Sequence, residues 1–322
     1  MSRILVFLSF LLFTTFLTAQ NGPGSGNTLD FDGANDYVSI GTSASLRPTS
    51  TLTVEGWTYY NSQGGYECFS SNTQDNGCNE SGWYFGPLGG NMNFWIATVG
   101  QTCHDWGSAS APSSLGEWEH WAGTYDGTTI RLYRNGILVS SDASKGGNID
   151  WSNLPADCRI GMYYDNNEAY YMDGSVDEVR IWNDVRTQAE IRDNMCKKLV
   201  GNEANLVSYY RFDGTTGTSL TDHAGTNTGT LNNMSNADWV YSGAPIGNTS
   251  THLYTGAWAG QQIFLVSPEG DSLGVSNVAG NPNGVHVYHV DELPNDTTGI
   301  VGAGANDHYF GVFKTGGAAP TY

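Results

Sequence analysis

Two short acidic stretches carry residue types from which chemistry could be built. Asp32-Gly33-Ala34-Asn35-Asp36 sets two carboxylates and an amide around a glycine turn, while Asp173-Gly174-Ser175-Val176-Asp177-Glu178 adds three carboxylates on a segment that reads as a strand. Calcium takes six to eight oxygen ligands, commonly carboxylates mixed with the carbonyls of a tight turn, so these stretches could hold that ion. Glycoside hydrolysis is the other chemistry open to them, since it needs two carboxyl groups about 5 to 9.5 Å apart. On a strand such a pair falls at i and i+2 or i+4 on one face. Asp173 and Asp177 have that spacing, as do Glu117 and Glu119, although Glu117 reads as the entry turn of its strand.

A second set of residues suits recognition without turnover. Sugar rings offer apolar C–H faces that stack on aromatic side chains, while neighbouring Asn and Asp satisfy the hydroxyls. Aromatic residues crowd the irregular segments at Trp83, Tyr84, Trp95, Trp106, Tyr163, Tyr164, Tyr170 and Tyr171, the last four flanking Asp165-Asn166-Asn167-Glu168. From these we take Trp83, Tyr84, Trp106, Tyr163, Tyr164 and Asn166 as the candidate ligand-binding residues. Cysteines stand at 68, 78, 103, 158 and 196. They form no CxxC and no zinc-ligand spacing, and an odd number leaves at least one thiol unpaired. A Cys68–Cys78 disulfide closing a short loop is the first expectation. Motifs for phosphate-binding loops, nucleophile elbows and zinc proteases are missing.

The elements that must position these residues are strands. From Trp118 onward the apolar side chains largely alternate, and Asp126-Gly127 and Asn135-Gly136 supply the positive φ angles that hairpin turns require. Three antiparallel strands are therefore expected over 118–125, 129–134 and 137–142. Others are expected over 28–32, 36–40, 52–60, 82–86, 92–98, 157–163, 170–183, 206–212 and 238–241. Turn signals about every ten residues point to an all-β sandwich or barrel. A single helix is expected from Thr187 to about Met195, opened by the Thr187/Glu190 capping box.

Five of these segments also resemble a known family in type and order: LDFDGANDYVSIG, LTVEGWTYY, WEHWAGTYDGTTIRLYRNG, DGSVDEVRIWNDVRTQAEIRDNM and LVSYYRFDGTTGTSLTDHAGTNTGTL. They are similar to the LamG-like modules of secreted bacterial proteins. The resemblance implies a concanavalin A-like jelly roll of two antiparallel sheets over residues 28–247. It also implies that Trp57, Trp118, Trp121 and Trp182 are structural, and that a structural calcium is held by Asp32, the Gly33 carbonyl, Asp36 and Asp177, with Glu178 on the opposite sheet face. Sandwich glycanases of that fold typically carry E-x-D-x-E, and here Ser175 stands in place of the central acid. The expected role is thus non-catalytic binding of carbohydrate or an extracellular protein. A glycoside hydrolase and a purely structural spacer are the alternatives. Residues 248–322 read as a second β-rich unit, expected to be incomplete, entered through a linker-like NTSTHLYTG and carrying strand patterns at QQIFLV, GVHVYHV and HYFGVF.

Charge and the first residues narrow the setting. The 322-residue chain has 32 acidic against 13 basic side chains, a formal net charge of −19. That argues against nucleic acid, whose binding needs a basic footprint. Residues 1–19, with Arg3 followed by an apolar run and Ala19, read as a secretory signal peptide, and 20–27 as a linker. The apolar run is shorter than the ~20 residues of a membrane span. A secreted or cell-surface protein without membrane insertion is expected.

Overall fold

In the computed structural model of this chain the described residues are 26–75, 80–102, 105–165, 168–293 and 308–316. The expected signal peptide, nearly all of the linker, and Cys78 and Asn166 lie outside them.

Two eight-stranded antiparallel sheets form the body of the protein. The back sheet runs Ile137–Asp142, Ile130–Arg134, Glu119–Tyr125, Leu52–Tyr60, Asp173–Trp182, Asn27–Asp32 and Trp239–Tyr241, with Leu206–Tyr210 also pairing to Asp173–Trp182. The front sheet runs Ser219–Leu220, Gly229–Asn232, Tyr37–Gly41, Cys158–Ile160, Ser70–Gln74, Ser81–Leu88, Asn91–Ile96 and Gly107–Pro112. Sequential hairpins alternate with neighbours distant in sequence, such as Leu52–Tyr60 beside Asp173–Trp182 and Tyr37–Gly41 beside Cys158–Ile160, the crossing pattern of a jelly roll. Period-2 alternation supplies the core: Leu29, Phe31, Val54, Trp121, Leu132, Val176 and Ile181 point from the back sheet, and Val38, Ile40, Phe85, Phe94, Ile96 and Ile160 from the front. The sheets approach closely at Gly123, where a Cβ would lie 2.4 Å from the Phe94 ring.

The hairpin turns form as their residues dictate. Asn135 and Gly136 both adopt positive φ, at 50° and 71°. Asp126 Oδ1 accepts from the Thr128 and Thr129 amides, closing the preceding turn around Gly127. The helix spans Gln188–Asn194, with Thr187 Oγ1 accepting from the Glu190 amide and Glu190 Oε2 accepting from the Thr187 amide.

One expectation about the back sheet fails at a β-bulge. Asp177 lies opposite Trp57 and Arg180 opposite Glu55, so Asp173–Trp182 holds one residue more than its partner across this step, and Glu178 takes φ 53°. The extra residue turns Asp177 and Glu178 to the same side, whereas simple alternation puts Glu178 on the opposite face. Both are buried on the outer side of the back sheet. There Arg180 Nη2 donates to Glu178 Oε2 at 2.6 Å, and Tyr209 Oη donates to the same oxygen at 2.6 Å. Arg180 Nη1 lies 3.7 Å from Glu55 Oε1, which also accepts from Trp182 Nε1. Arg180 further donates to the carbonyls of Asn194 and Lys197, tying the helix end onto the sheet.

Trp57, Trp121 and Trp182 are buried as expected, but Trp57 and Trp182 sit on the outer face of the back sheet. Trp118 is half-buried, against Tyr59. The segment expected as a linker is a strand, Thr249–Tyr254, pairing with Gly284–Val290, which pairs in turn with Tyr309–Thr315. Gln262–Val266 and Ser272–Ser276 form a separate hairpin. This second unit packs on the first: Phe313 meets Trp57 edge-on with centroids 5.2 Å apart, Tyr254 Oη donates to the Asn135 carbonyl, and the Arg192 guanidinium lies 3.7 Å from the Tyr254 ring centroid.

Candidate functional site

On its outer face the front sheet bears a cavity of about 260 Å³ walled mostly by rings. Tyr84 and Trp95 are cross-strand partners whose side chains point away from the core, and their rings lie 4.6 Å apart. Trp106, just before Gly107–Pro112, stacks on Trp95 at 4.8 Å and 21°. On the other flank Met162–Asp165 and Glu168–Tyr171 form a two-stranded hairpin in which Tyr163 and Tyr170 are partners, 5.9 Å apart. Tyr66 bridges the flanks, at 5.8 Å from Trp95, 5.8 Å from Tyr163 and 5.4 Å from Tyr170. These six rings form one continuous surface.

Several local contacts fix that surface. Glu67 accepts from the amides of Gly64 and Gly65, folding the loop that presents Tyr66, and its carbonyl accepts from Tyr84 Oη. Tyr163 Oη donates to Asp165 Oδ2 at 2.7 Å. Gly82 lines the groove with φ +80°, and a Cβ there would lie 1.9 Å from the Asn72 carbonyl oxygen. Thr73, Asp75, Glu80 and Glu168 add hydroxyl and carboxylate groups to the walls. Burial pushes the Tyr163 phenol well above its ordinary value, with the Asp165 contact reinforcing the effect. Tyr163 is therefore a neutral phenol at neutral pH, and its hydroxyl is a hydrogen-bond donor.

Of the ligand-binding residues expected from sequence, Trp83, Tyr84, Trp106 and Tyr163 line this groove. Trp83 does so from the core side. Tyr164 does not belong to it: strand alternation turns it away from Tyr163, and the Arg159 guanidinium covers its ring at 4.0 Å. Tyr66, Asp75, Glu80 and Thr73 are wall residues that no periodic pattern marks, since they lie in loops or in a polar strand.

The expected calcium ligands do not all converge. Asp32 Oδ1 accepts from the Ala34 and Asn35 amides, and Asp36 Oδ2 accepts from the Asp32 amide at 3.2 Å. Asp32 pairs with Asp173, and the Gly33 amide donates to the Met172 carbonyl. Asp177 is four residues further along the strand, about 13 Å away at ~3.3 Å per residue. Its carboxylate accepts from Ser242 Oγ at 2.5 Å and from the Glu178 amide. Burial and the adjacent Glu178 push the Asp177 carboxyl well up, and it is a buried structural group, not a partner of the Asp32 turn. Around that turn burial pushes the Asp30 and Asp36 carboxyls up, with neighbouring carboxylates adding to it, Asp173, Asp238 and Asp32 at Asp30 and Asp32, Asp238 and Asp30 at Asp36, whereas the Ala34 and Asn35 amides hold Asp32 down. Asp36 is pushed up to about 6, chiefly by burial.

The two carboxylate pairs with hydrolase spacing are also separated. Asp173 accepts from Asn61 Nδ2 and Ser62 Oγ near the surface, while Asp177 is buried. Glu119 is buried against Arg134 and accepts from Trp121 Nε1, whereas Glu117 is exposed. The disulfide expectation fails at Cys68, which is a free, fully buried thiol beneath Tyr84 and Tyr163.

A jelly-roll sandwich with a ring-lined groove across one sheet is the class that fold and site define. The family model described as the concanavalin A-like lectin/glucanases superfamily matches residues 32–192, and the chain belongs to that superfamily. A Bacteroides ovatus protein described as carbohydrate-binding is 22% identical, with a TM-score of 0.51 over 70% of this chain and 62% of its own. The CBM40 of Ruminococcus gnavus IT-sialidase, solved with α2,3-sialyllactose, is 14% identical with a TM-score of 0.41 over 52% of this chain and 98% of its own. Mouse pappalysin-1 is 35% identical over 80 residues, a quarter of this chain (25%) but only 5% of that protein. No helix among the described residues is long and apolar enough to cross a membrane.

Proposed function

We propose that this chain is a secreted, non-catalytic module that binds carbohydrate in the groove of the front sheet. The observation that carries this reading is the six-ring surface from Trp106 through Trp95 and Tyr84 to Tyr66, Tyr163 and Tyr170, bordered by acceptors at Asp75, Glu80 and Glu168. Flat apolar faces beside fixed polar groups match the amphiphilic surface of a pyranose ring, and concave sites with a few placed polar groups are the usual form of small-ligand sites. The carbohydrate-binding description of the Bacteroides ovatus protein agrees with it. A glycan array probed with the whole protein is the test: selective retention of one glycan class is expected, and a blank array overturns the reading.

A structural calcium at the Asp32–Asp36 turn belongs to the same proposal, with Asp173 replacing Asp177 in the ligand set. What supports it is the crowding of five carboxylates whose mutual repulsion a divalent cation would relieve. The folded-state value of Asp36, about 6, exceeds its ordinary 3.8, so the folded state binds the extra proton between these values. Stability from this group therefore falls as pH rises through that window. In EDTA at neutral pH, Asp36→Asn should raise Tm by a few degrees and abolish that fall. With calcium the order reverses, wild type gaining Tm and the variant not. A wild-type Tm indifferent to calcium, measured by calorimetry, eliminates the ion.

A further inference from the structure

The second unit has thin means of holding its own hairpin. Along Gln262–Val266 and Ser272–Ser276 only Ile263 is buried, while Phe264 and Val266 are largely exposed. A unit of this size seldom supplies enough apolar core alone, and small domains commonly add a disulfide or a metal. At the tip of this hairpin the turn Ser267-Pro268-Glu269-Gly270-Asp271 is closed by the Ser267 amide donating to the Asp271 carbonyl and the Gly270 amide donating to the Ser267 carbonyl. It brings Glu269 against two histidines of the neighbouring sheet.

His289 is fully buried, and neither of its ring nitrogens has a hydrogen-bond partner among the described residues. A buried imidazole left so is costly, because its donor and acceptor have both lost water. Its Nε2 points at Glu269 Oε2, 3.8 Å away. His308, immediately before Tyr309–Thr315, stands with its ring 5.2 Å from that of His289, and one ligand atom each from Glu269, His289 and His308 lies within 4.8 Å of the others. Asp271 Oδ2 accepts from His308 Nε2 at 3.1 Å.

We infer that Glu269, His289 and His308 bind a divalent transition-metal ion, zinc by its chemistry, which fastens the hairpin to the three-stranded sheet. Two imidazoles and one carboxylate suit zinc, whereas calcium takes oxygen ligands. Ligands at about 2.0–2.2 Å from a tetrahedral ion stand roughly 3.4 Å from one another, so closure of these atoms needs only about an ångström of movement. The hydrogen bond to Asp271 is the kind of outer contact that fixes the orientation of a metal-bound histidine. The ion would satisfy the stranded His289 nitrogen and replace the apolar contact that the hairpin lacks.

The test uses the whole protein, stripped with a chelator and titrated with zinc chloride by calorimetry, and with cobalt(II) as a visible-absorption probe. One equivalent of zinc is expected, together with the absorption bands of tetrahedral cobalt. Because His289→Ala could unfold the unit, the diagnostic variant is Glu269→Gln, whose side chain is solvent-exposed. It should weaken zinc at least tenfold and remove the cobalt bands, with circular dichroism unchanged. Amide exchange over residues 262–276 should slow on adding zinc to wild type and not to the variant. No zinc uptake by wild type, or equal uptake by the variant, overturns the assignment.

Discussion

Replacing Arg180 by methionine should destabilise the protein by about 3–5 kcal/mol, read from the midpoint of urea unfolding, because it strands two buried carboxylates. Glu55 and Glu178 flank that guanidinium at full burial, and His120, held neutral by burial, supplies no compensating charge. Burial pushes both carboxyl groups up while Arg180 pulls them down, so removing Arg180 leaves the upward effect opposed only by the Trp182 hydrogen bond and Arg186 at Glu55 and by the Tyr209 hydrogen bond at Glu178. In the variant the folded state takes protons more readily than the unfolded chain, and the deficit should therefore shrink as pH is lowered from neutral toward about 5. A triple variant, Glu55→Gln with Glu178→Gln and Arg180→Met, should recover a large part of the loss, since no uncompensated charge remains. Equal stability of the single variant and wild type at neutral pH would show the network to be dispensable.

Trp95→Ala should weaken binding of the glycan selected on the array about 30-fold, a loss of ~2 kcal/mol, without a comparable loss of stability. Trp95 is half-buried and central: it touches Tyr84, Tyr66 and Trp106, so its removal breaks the surface in two. Trp106→Ala, at one end, should cost less. Tyr241→Ala provides the control, as that ring is exposed at the edge of the back sheet and far in the topology from the groove. Titration calorimetry separates the cases, and retention of full affinity by Trp95→Ala would remove the ladder from the site.

Much of the scaffold was legible because its signals are local. Asp126-Gly127 and Asn135-Gly136 produced the expected hairpins, and Thr187 with Glu190 produced the expected cap. Ser70–Gln74 and Gly107–Pro112 were missed for a physical reason. Apart from Thr73, their sequences, Ser-Ser-Asn-Thr-Gln and Gly-Ser-Ala-Ser-Ala-Pro, lack the β-branched and aromatic residues by which strands are read, and in the first Ser70 and Asn72 are buried with hydrogen bonds to distant carbonyls. The bulge at Asp177 was equally hidden, because an inserted polar residue leaves no mark on a pattern of apolar positions. That one residue misplaced Glu178, while Asp177 misses the calcium turn because it lies four residues along the strand from Asp173.

For the groove, sequence identified aromatic segments but not which face each ring takes. Tyr163 and Tyr164 are adjacent and chemically alike, and only the hairpin register decides that the first meets Tyr66 while the second goes under Arg159. Tyr66 could have been suspected from its place after Gly64-Gly65, where a flexible loop carries a large ring. Nothing in its spacing ties it to Trp95.

The contact of Phe313 and Tyr254 with the outer face of the back sheet governs how the protein can be cut. A piece ending at residue 247 would bare Trp57, Met195, Ala244 and Ile246 to solvent as one apolar patch, an invitation to self-association. The boundary apparent in composition is therefore not a boundary of solubility, and the smallest piece suited to handling in solution retains the final strand, Tyr309–Thr315.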